Sequence, residues 1–455
     1  MARPPGQRFP NDRLREMISA SGLGYEGVAR AVVRVAAENG EALRTNKSAI
    51  AHWVAGIEPG ERTIGYLVEA LSRRAGRPVT RQQLGFLTDE PAALEGPEPI
   101  ETATLLGRTD VENGGYLATA VYTAAQLRMP LDYDAEAVSR LLRARTGLAR
   151  VGAAEVAVVR QITKAFGAAD ERLGGGHGLS TVASYLSDTV APTLSGRFAD
   201  EATRRDAFSA AAELAWLLGW KHHDLGHEGA AQRYYLTGFQ LAVEADPVAH
   251  AAWMMRAIAH QALSLKECHH SRDLIEAALK RAEGRCDGAT EALLHITHAR
   301  SSAALGEKAR AARALLAAED ALTRQTDPQP SYSLLMGPAL GAVDSHTART
   351  LTEIGDHLGT EARHRAAFTS WDPISYPRVH LLTHMDLGDC LVAQARADEA
   401  IGAWSQALDL AEGMTSGRSR TALAGIRPTL AVYKHRGVPG AALLEQRIRQ
   451  AATAA

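Results

Sequence analysis

The chain has 455 residues, 46% hydrophobic, 5% aromatic and 22% charged, with a formal net charge of −2. That length exceeds one small core and predicts two or three domains. Its three cysteines, Cys268, Cys286 and Cys390, are odd in number and lack a CxxC pattern, which argues against a disulfide framework and a zinc ribbon and fits a reducing cytoplasm. The polar, proline-bearing start from Met1 to Pro10 lacks the apolar core of a leader. No window approaches 18 uninterrupted apolar residues, so no membrane span is expected. Residues 1–83 carry 13 Lys and Arg against 8 Asp and Glu, leaving 37 against 44 in the remainder. A mildly basic N-terminal module on a mildly acidic body suits a segment that meets phosphate, although the imbalance is small.

Few stretches alternate as strands do, and an all-α fold is expected. A first helix is predicted from Asn11 to Ser21, capped by Asn11 or Asp12, with Leu14, Met17 and Ile18 as its stripe. A second runs from Tyr25 to Glu38, buries Val28, Ala29, Val32, Val33, Val35 and Ala36, and stops at Asn39-Gly40. The third, Asn46 to Ala55, follows a cap at Thr45 or Asn46 and ends before Gly56 and Pro59. Ile50, Trp53 and Val54 give it one apolar face, while Lys47, Ser48, Ala51 and His52 fall elsewhere on the helix. A helix that buries one side and offers small, polar and cationic groups on the other suits a DNA major groove. A fourth helix is predicted from Thr63 to Ala75, then a short one from Thr80 to Leu87.

Residues 89–101 (DEPAALEGPEPIE) read as an acidic, proline-rich linker, which sets a first domain at 1–88. A helical connecting region is expected over 102–200, with helices over 114–127, 135–149 and 152–166. The run Leu173-Gly174-Gly175-Gly176-His177-Gly178 reads as a flexible loop between helices, since no GK[ST] follows and no strand precedes it. From 201 to 455 the pattern repeats. Similar helices recur at Ala230 to Ala242, Ser271 to Arg281, Ala309 to Leu322, Arg363 to Trp371 and Ala397 to Ala411, each expected as the second of an antiparallel pair.

Trp53-x-x-Gly56 with a following proline, then Leu71-Ser72 and Gly76-Arg77 at a helix end, resembles the helix-turn-helix of phage-repressor-like regulators. More closely, the chain resembles actinobacterial regulators in which such a head precedes a tetratricopeptide-like body. Asp398-Glu399-Ala400-Ile401-x-x-Trp404-x-x-Ala407-Leu408 and Leu214-x-x-Leu217-x-Gly219-Trp220 carry the body's share of that resemblance. The resemblance implies a helix-turn-helix head followed by a tetratricopeptide-like solenoid. It makes Asn46 to Ala55 the recognition helix, with Lys47, Ser48 and His52 facing bases and Thr45 and Asn46 near phosphate. Arg44 and Arg62 are further phosphate candidates. The segment from Val35 to Leu43 is longer than in the simplest units, which leaves the docking angle open. The implied function is a dimeric, sequence-specific regulator of development or specialised metabolism, cytoplasmic and nucleoid-associated. By resemblance to peptide-responsive repeat regulators, the body would sense a peptide, a small molecule or a protein partner. A protein–protein adaptor whose head does not bind DNA is the alternative.

Candidate ligand-facing residues are Trp220, Tyr234, Tyr235 and Arg256, on a concave surface suited to peptides. Five tryptophans, Trp216, Trp220, Trp253, Trp371 and Trp404, fall in the body, where core packing is the usual role. His223 and His227, with Asp224 between them, have the spacing of a zinc-protease pair. The short acid, Gly226 within the motif and its place at a turn, where Asp224 can cap the next helix, count against a metal site. No enzyme, metal or cofactor is expected.

Overall fold

The computed structural model of the chain describes residues 10–86, 96, 98–144, 147, 149–326 and 328–454. Most of the linker expected at 89–101, and the N-terminal residues before Pro10, lie outside the described residues.

The head contains four helices, α1 (Asp12–Ala20), α2 (Tyr25–Glu38), α3 (Lys47–Val54) and α4 (Glu61–Ala75). Their stripes converge on a core of Leu14, Val28, Val32, Ile50, Trp53 and Leu67. The caps follow side-chain chemistry. The Asn11 side chain accepts the Leu14 N–H, and the Asn46 side chain accepts the Ala49 N–H, each at 3.0 Å. Asn11 also donates to the Leu84 carbonyl at 2.8 Å, tying α1 to the segment after α4. That segment, residues 81–85, is a turn and not the short helix expected from Thr80 to Leu87. Its backbone turns back at Gly85 (φ +79°), where Phe86 N–H returns to the Arg81 carbonyl.

The connecting region holds α5 (Pro99–Ala118), kinked at Asn113, then α6 (Met129–Asp132), α7 (Ala135–Ala144), α8 (Ala153–Leu173), α9 (Leu179–Ser184) and α10 (Ala191–Thr193). Two short strands, β1 (Arg150–Val151) and β2 (Arg197–Phe198), pair in parallel. The helix expected to begin at Gly114 is therefore the last part of a longer one, and Pro99 to Glu101, placed in the linker, already belong to it.

The body is a solenoid-like stack of antiparallel pairs: α11 (Glu201–Leu225) with α12 (Glu228–Ala245), α13 (Ala249–Ser264) with α14 (Cys268–Ala282), α15 (Gly288–Ala304) with α16 (Lys308–Thr323), α17 (Ala339–Ile354) with α18 (His357–Ser370), and α19 (Pro377–Ala393) with α20 (Ala397–Leu410). Then follow α21 (Gly417–Gly425), α22 (Arg427–His435) and α23 (Ala441–Ala454). Each pair turns through one left-handed residue, in order Gly226, Lys266, Gly306, Gly355 and Ala395. Small residues set the helix spacing. A Cβ on Gly219 of α11 would sit 2.6 Å from the Tyr235 ring of α12. One apolar core runs from Ile100 through Trp371, so the boundary expected at 200/201 is no break in packing. A second core, Leu381 to Ile448, holds the C-terminal end. Among the described residues, no helix is long and apolar enough to cross a membrane.

Candidate functional site

Helix α3 presents two chemically distinct faces. Ile50, Trp53 and Val54 are buried against the head. Arg44, Asn46, Lys47, Ser48 and His52 are exposed, and Thr45 is half-buried. The helix N-terminus, with Asn46 as cap and Lys47 in the first turn, therefore opens to solvent beside cationic side chains. Arg62 departs from the expected set. Its Nε lies 3.1 Å from Glu41 Oε2, and its guanidinium lies 5.9 Å from the Tyr66 ring centre. Tyr66 donates to the same Glu41 carboxylate at 2.8 Å. Arg62 thus fastens the α2–α3 connector to α4 and is not a free cation held out for phosphate.

The head is docked on the body through a short segment, Ala120 to Ala124. Tyr122 N–H donates to Asn39 Oδ1 at 3.0 Å and Ala124 N–H to Glu69 Oε1 at 2.9 Å, both on the head. Gln232 of α12 grips the other side, accepting from Thr123 N–H and donating to its carbonyl. Val121 packs into the head beside Gly65, where a Cβ would lie 2.9 Å from its methyl. Beside this clamp Arg73 bridges Glu38 (2.7 Å), Glu69 (2.6 Å) and Glu267 of the body (3.1 Å), while Arg34 reaches Glu267 at 3.3 Å. Burial raises the Glu38 pKa despite the attraction of Arg73, so this network is costly to desolvate as well as attractive.

The body holds a hollow, open to solvent, between α11, α13, α17, α18, α19 and α21. Trp220 is its centre. It stacks on Trp216 (centroids 5.8 Å apart, planes at 14°), and the guanidiniums of Arg378 and Arg418 lie 5.7 and 5.1 Å from its ring centre. Arg349 pairs with Asp386 at 2.8 Å. Trp371 donates to Ser345 at 3.0 Å. His364 is 2% exposed, and neither ring nitrogen has a hydrogen-bond partner. Burial lowers its pKa to about 4, so the ring is neutral at physiological pH. A second hollow adjoins the first and shares Arg349 and Asp386 with it.

The sequence of the head matches one family model. Residues 14–87 are similar to the SP15 N-terminal domain. The match covers the segment whose side chains close the head core, from Leu14 to the turn after α4. No curated protein matches the chain.

Outside this SP15-like head, the expected ligand set does not come together. Tyr234, Tyr235 and Arg256 are at most 2% exposed and belong to the core. Tyr234 donates to Asp110 Oδ2 at 3.1 Å and stacks on His222. Arg256 donates through Nε to the Leu293 carbonyl and to Thr297 Oγ1, and burial lowers its pKa to about 10. Only Trp220 of the four lines the hollow. Its companions there, Arg349, Arg378, Arg418 and His364, escaped sequence reasoning because they come from four helices that lie more than a hundred residues after Trp220 in the chain.

The histidine motif is split by the turn. α11 ends at Leu225, Gly226 is left-handed (φ +82°), and His227 lies beyond it, so His223 and His227 do not share a helical face. His223 is held by Glu228 at 2.9 Å and His222 by Asp110 at 2.8 Å. Among the described residues no cluster has the ligands to hold a metal ion. Asp224 does not cap α12. Its Oδ2 accepts the Gly175 N–H at 3.0 Å and its Oδ1 accepts the Ser416 hydroxyl at 2.8 Å. The glycine-rich run is likewise no flexible loop. Lys221 donates to the His177 carbonyl at 2.8 Å, and Thr415 N–H donates to the Leu173 carbonyl at 2.7 Å. A Cβ on Gly175 would lie 2.5 Å from the Lys221 carbonyl oxygen, so glycine is needed for this close approach. Arg378 completes the junction with Asp170 (2.6 Å) and Glu171 (2.7 Å).

Proposed function

We propose that the chain is a sequence-specific DNA-binding regulator that reads the major groove with α3, and that its repeat body senses a ligand. The observation that carries the reading is the division of α3. Ile50, Trp53 and Val54 anchor one side, and Lys47, Ser48 and His52 stand exposed on the other. Lys47, Ser48 and His52 contact base edges, while Arg44, Thr45 and Asn46 meet the backbone phosphates near the helix start. One such helix makes few contacts, so two chains act together on a pseudo-palindrome, with half-sites about one helical turn or a multiple apart. A ligand acts by binding one arrangement of head and body more tightly than another. The segment from Ala120 to Ala124, gripped by Asn39 and Glu69 on one side and Gln232 on the other, is the route for that coupling.

The test is genomic footprinting with the full chain, followed by salt titration on a recovered site. Arg44→Ala weakens binding to all sequences and reduces the salt slope by about 0.9. Lys47→Ala and His52→Ala relax sequence preference, each losing about 1–3 kcal/mol of discrimination. Wild-type protein without sequence preference overturns the regulator reading and leaves the adaptor alternative.

A further inference from the structure

We propose that the hollow at Trp220 is a binding site for an apolar ligand ending in a single carboxylate, supplied by a free carboxylic acid or by the C-terminal residue of a peptide. Arg418 and Arg349 take the carboxylate, Trp220 and Trp371 flank the apolar part, and His364 meets a polar group of the ligand. The inference rests on the ligand-sensing half of the function proposed above and names its chemistry.

The charge around the hollow is out of balance. Arg378 is matched by Asp170, Glu171 and Asp224, and Arg349 by Asp386. Arg418, Arg300 and Arg256 have no carboxylate within ion-pairing distance among the described residues. These cations act on one another. Burial and then Arg349 lower the Arg418 pKa against the opposing pull of Asp224 and Glu171, and burial, with Arg349 the leading charge and Asp386 opposing it, brings Arg300 down to about 9. A guanidinium kept half-buried without a partner is unfavourable, and an incoming anion relieves it. Arg256 spends its Nε on the core, and Arg300 leans on His346 Nδ1 at 3.3 Å, so Arg418 is the donor left facing the hollow. One spare guanidinium beside an Arg349 already paired with Asp386 suits a monoanion better than a phosphate.

The rest of the wall defines the body of the ligand. Leu335, Met336, Val379 and Leu382 line it with the indoles of Trp216, Trp220 and Trp371, a surface for an aliphatic or aromatic side chain. His364 supplies the second observation. Its neutral ring carries one donor and one acceptor, both buried and unused, at the edge of the hollow. An amide group satisfies both.

The test is isothermal titration of the full chain with four probes: N-acetylphenylalanine, its C-terminal amide, 3-phenylpropanoate and inorganic phosphate. At least one of the two carboxylates binds, and N-acetylphenylalanine binds about tenfold or more tighter than its amide, the loss expected when a charge-assisted contact goes. A tenfold preference for N-acetylphenylalanine over 3-phenylpropanoate assigns the site to a peptide terminus, and equal binding assigns it to a free acid and overturns the role given to His364. Arg418→Ala loses the preference for acid over amide, and Arg418→Lys restores part of it. Arg349→Gln is the second variant and weakens the acid alone. Thermal melting separates this role from a structural one: Arg418→Lys, which keeps a cation beside Trp220, holds the wild-type midpoint while its acid-over-amide preference falls below that of wild type. Equal binding of acid and amide, phosphate binding as tightly as the acids, or no saturation by either carboxylate up to about 10 mM overturns the proposal. DNA binding by the same wild-type sample, measured without probe, is the separate readout. If DNA binds and the acids do not, the site falls alone. If the acids bind and DNA does not, the regulator reading falls and the site stands.

Discussion

Neutralising Glu267 should loosen the head from the body without unfolding either. Its side chain is 12% exposed and accepts from Arg73 at 3.1 Å and from Arg34 at 3.3 Å. His270, whose Nδ1 lies 3.3 Å from Glu267 Oε2, is the largest influence holding its pKa down, and Arg73 adds to that. In Glu267→Gln the contacts of Arg73 to Glu38 and Glu69 persist, because both lie within the head. What is lost is the charge in two charge-assisted contacts across the junction, worth about 1.5–3 kcal/mol each when intact. The glutamine carbonyl still accepts, and the carboxylate's own desolvation is relieved, so the net loss is about 2 kcal/mol. That corresponds to about 30-fold in the docking equilibrium. Hydrogen exchange reads it directly, because the amides of Tyr122 and Ala124 donate to Asn39 and Glu69 across the junction. Their protection should fall by that factor while amides in the middle of α13 keep theirs. Unchanged protection at both amides refutes the claim that this ion network holds the head.

Much of the secondary structure was legible because its ends are chemically marked. α2 runs from Tyr25 to Glu38 as periodicity and the Asn39-Gly40 stop predict. The second helices of the body pairs, such as α12 and α20, lie over the segments that their alanine-rich spacing picks out. Position 226, 306 or 355 is a glycine at each of three turns, but Lys266 and Ala395 take the same left-handed backbone and hide the period. Contacts distant in sequence were not legible. Tyr235 reads as a surface aromatic until Gly219 of the preceding helix makes room for its ring. The glycine-rich run reads as slack because its partners, Lys221 and Thr415, lie on other elements. The faces of α3 followed from local spacing, whereas Arg418 beside Trp220 required the whole stack to form.

Three further outcomes bear on the head, the repeat turns and the buried histidines. Trp53, 8% exposed, anchors α3, so Trp53→Ala should cost the head about 3–5 kcal/mol, while His52→Ala changes stability by less than about 0.5 kcal/mol; urea unfolding compares them. Ala395→Gly removes a left-handed penalty of about 1–2 kcal/mol but adds about 0.5–1 kcal/mol of unfolded-chain entropy, so stability should rise by up to about 1.5 kcal/mol. A fall in the unfolding midpoint contradicts that turn geometry. His250, 1% exposed, stacks on Tyr332 at 4.3 Å, and burial, with Arg160 second, lowers its pKa from 6.5 to about 3. Between those values the unfolded chain binds a proton that the folded chain refuses. Its contribution is therefore complete above pH 6.5 and is lost as the pH falls toward 3, amounting to about 2 kcal/mol between pH 7 and 5. Asp389, whose pKa burial and then Asp386 raise to about 6, pulls the other way over part of this window, but it does so in wild type and variant alike. His250→Phe keeps an aromatic ring against Tyr332 and removes the titration. Its loss of stability from pH 7 to 5 should be smaller than that of wild type by about 2 kcal/mol. Equal losses in the two proteins mean that the imidazole is not the group that refuses the proton.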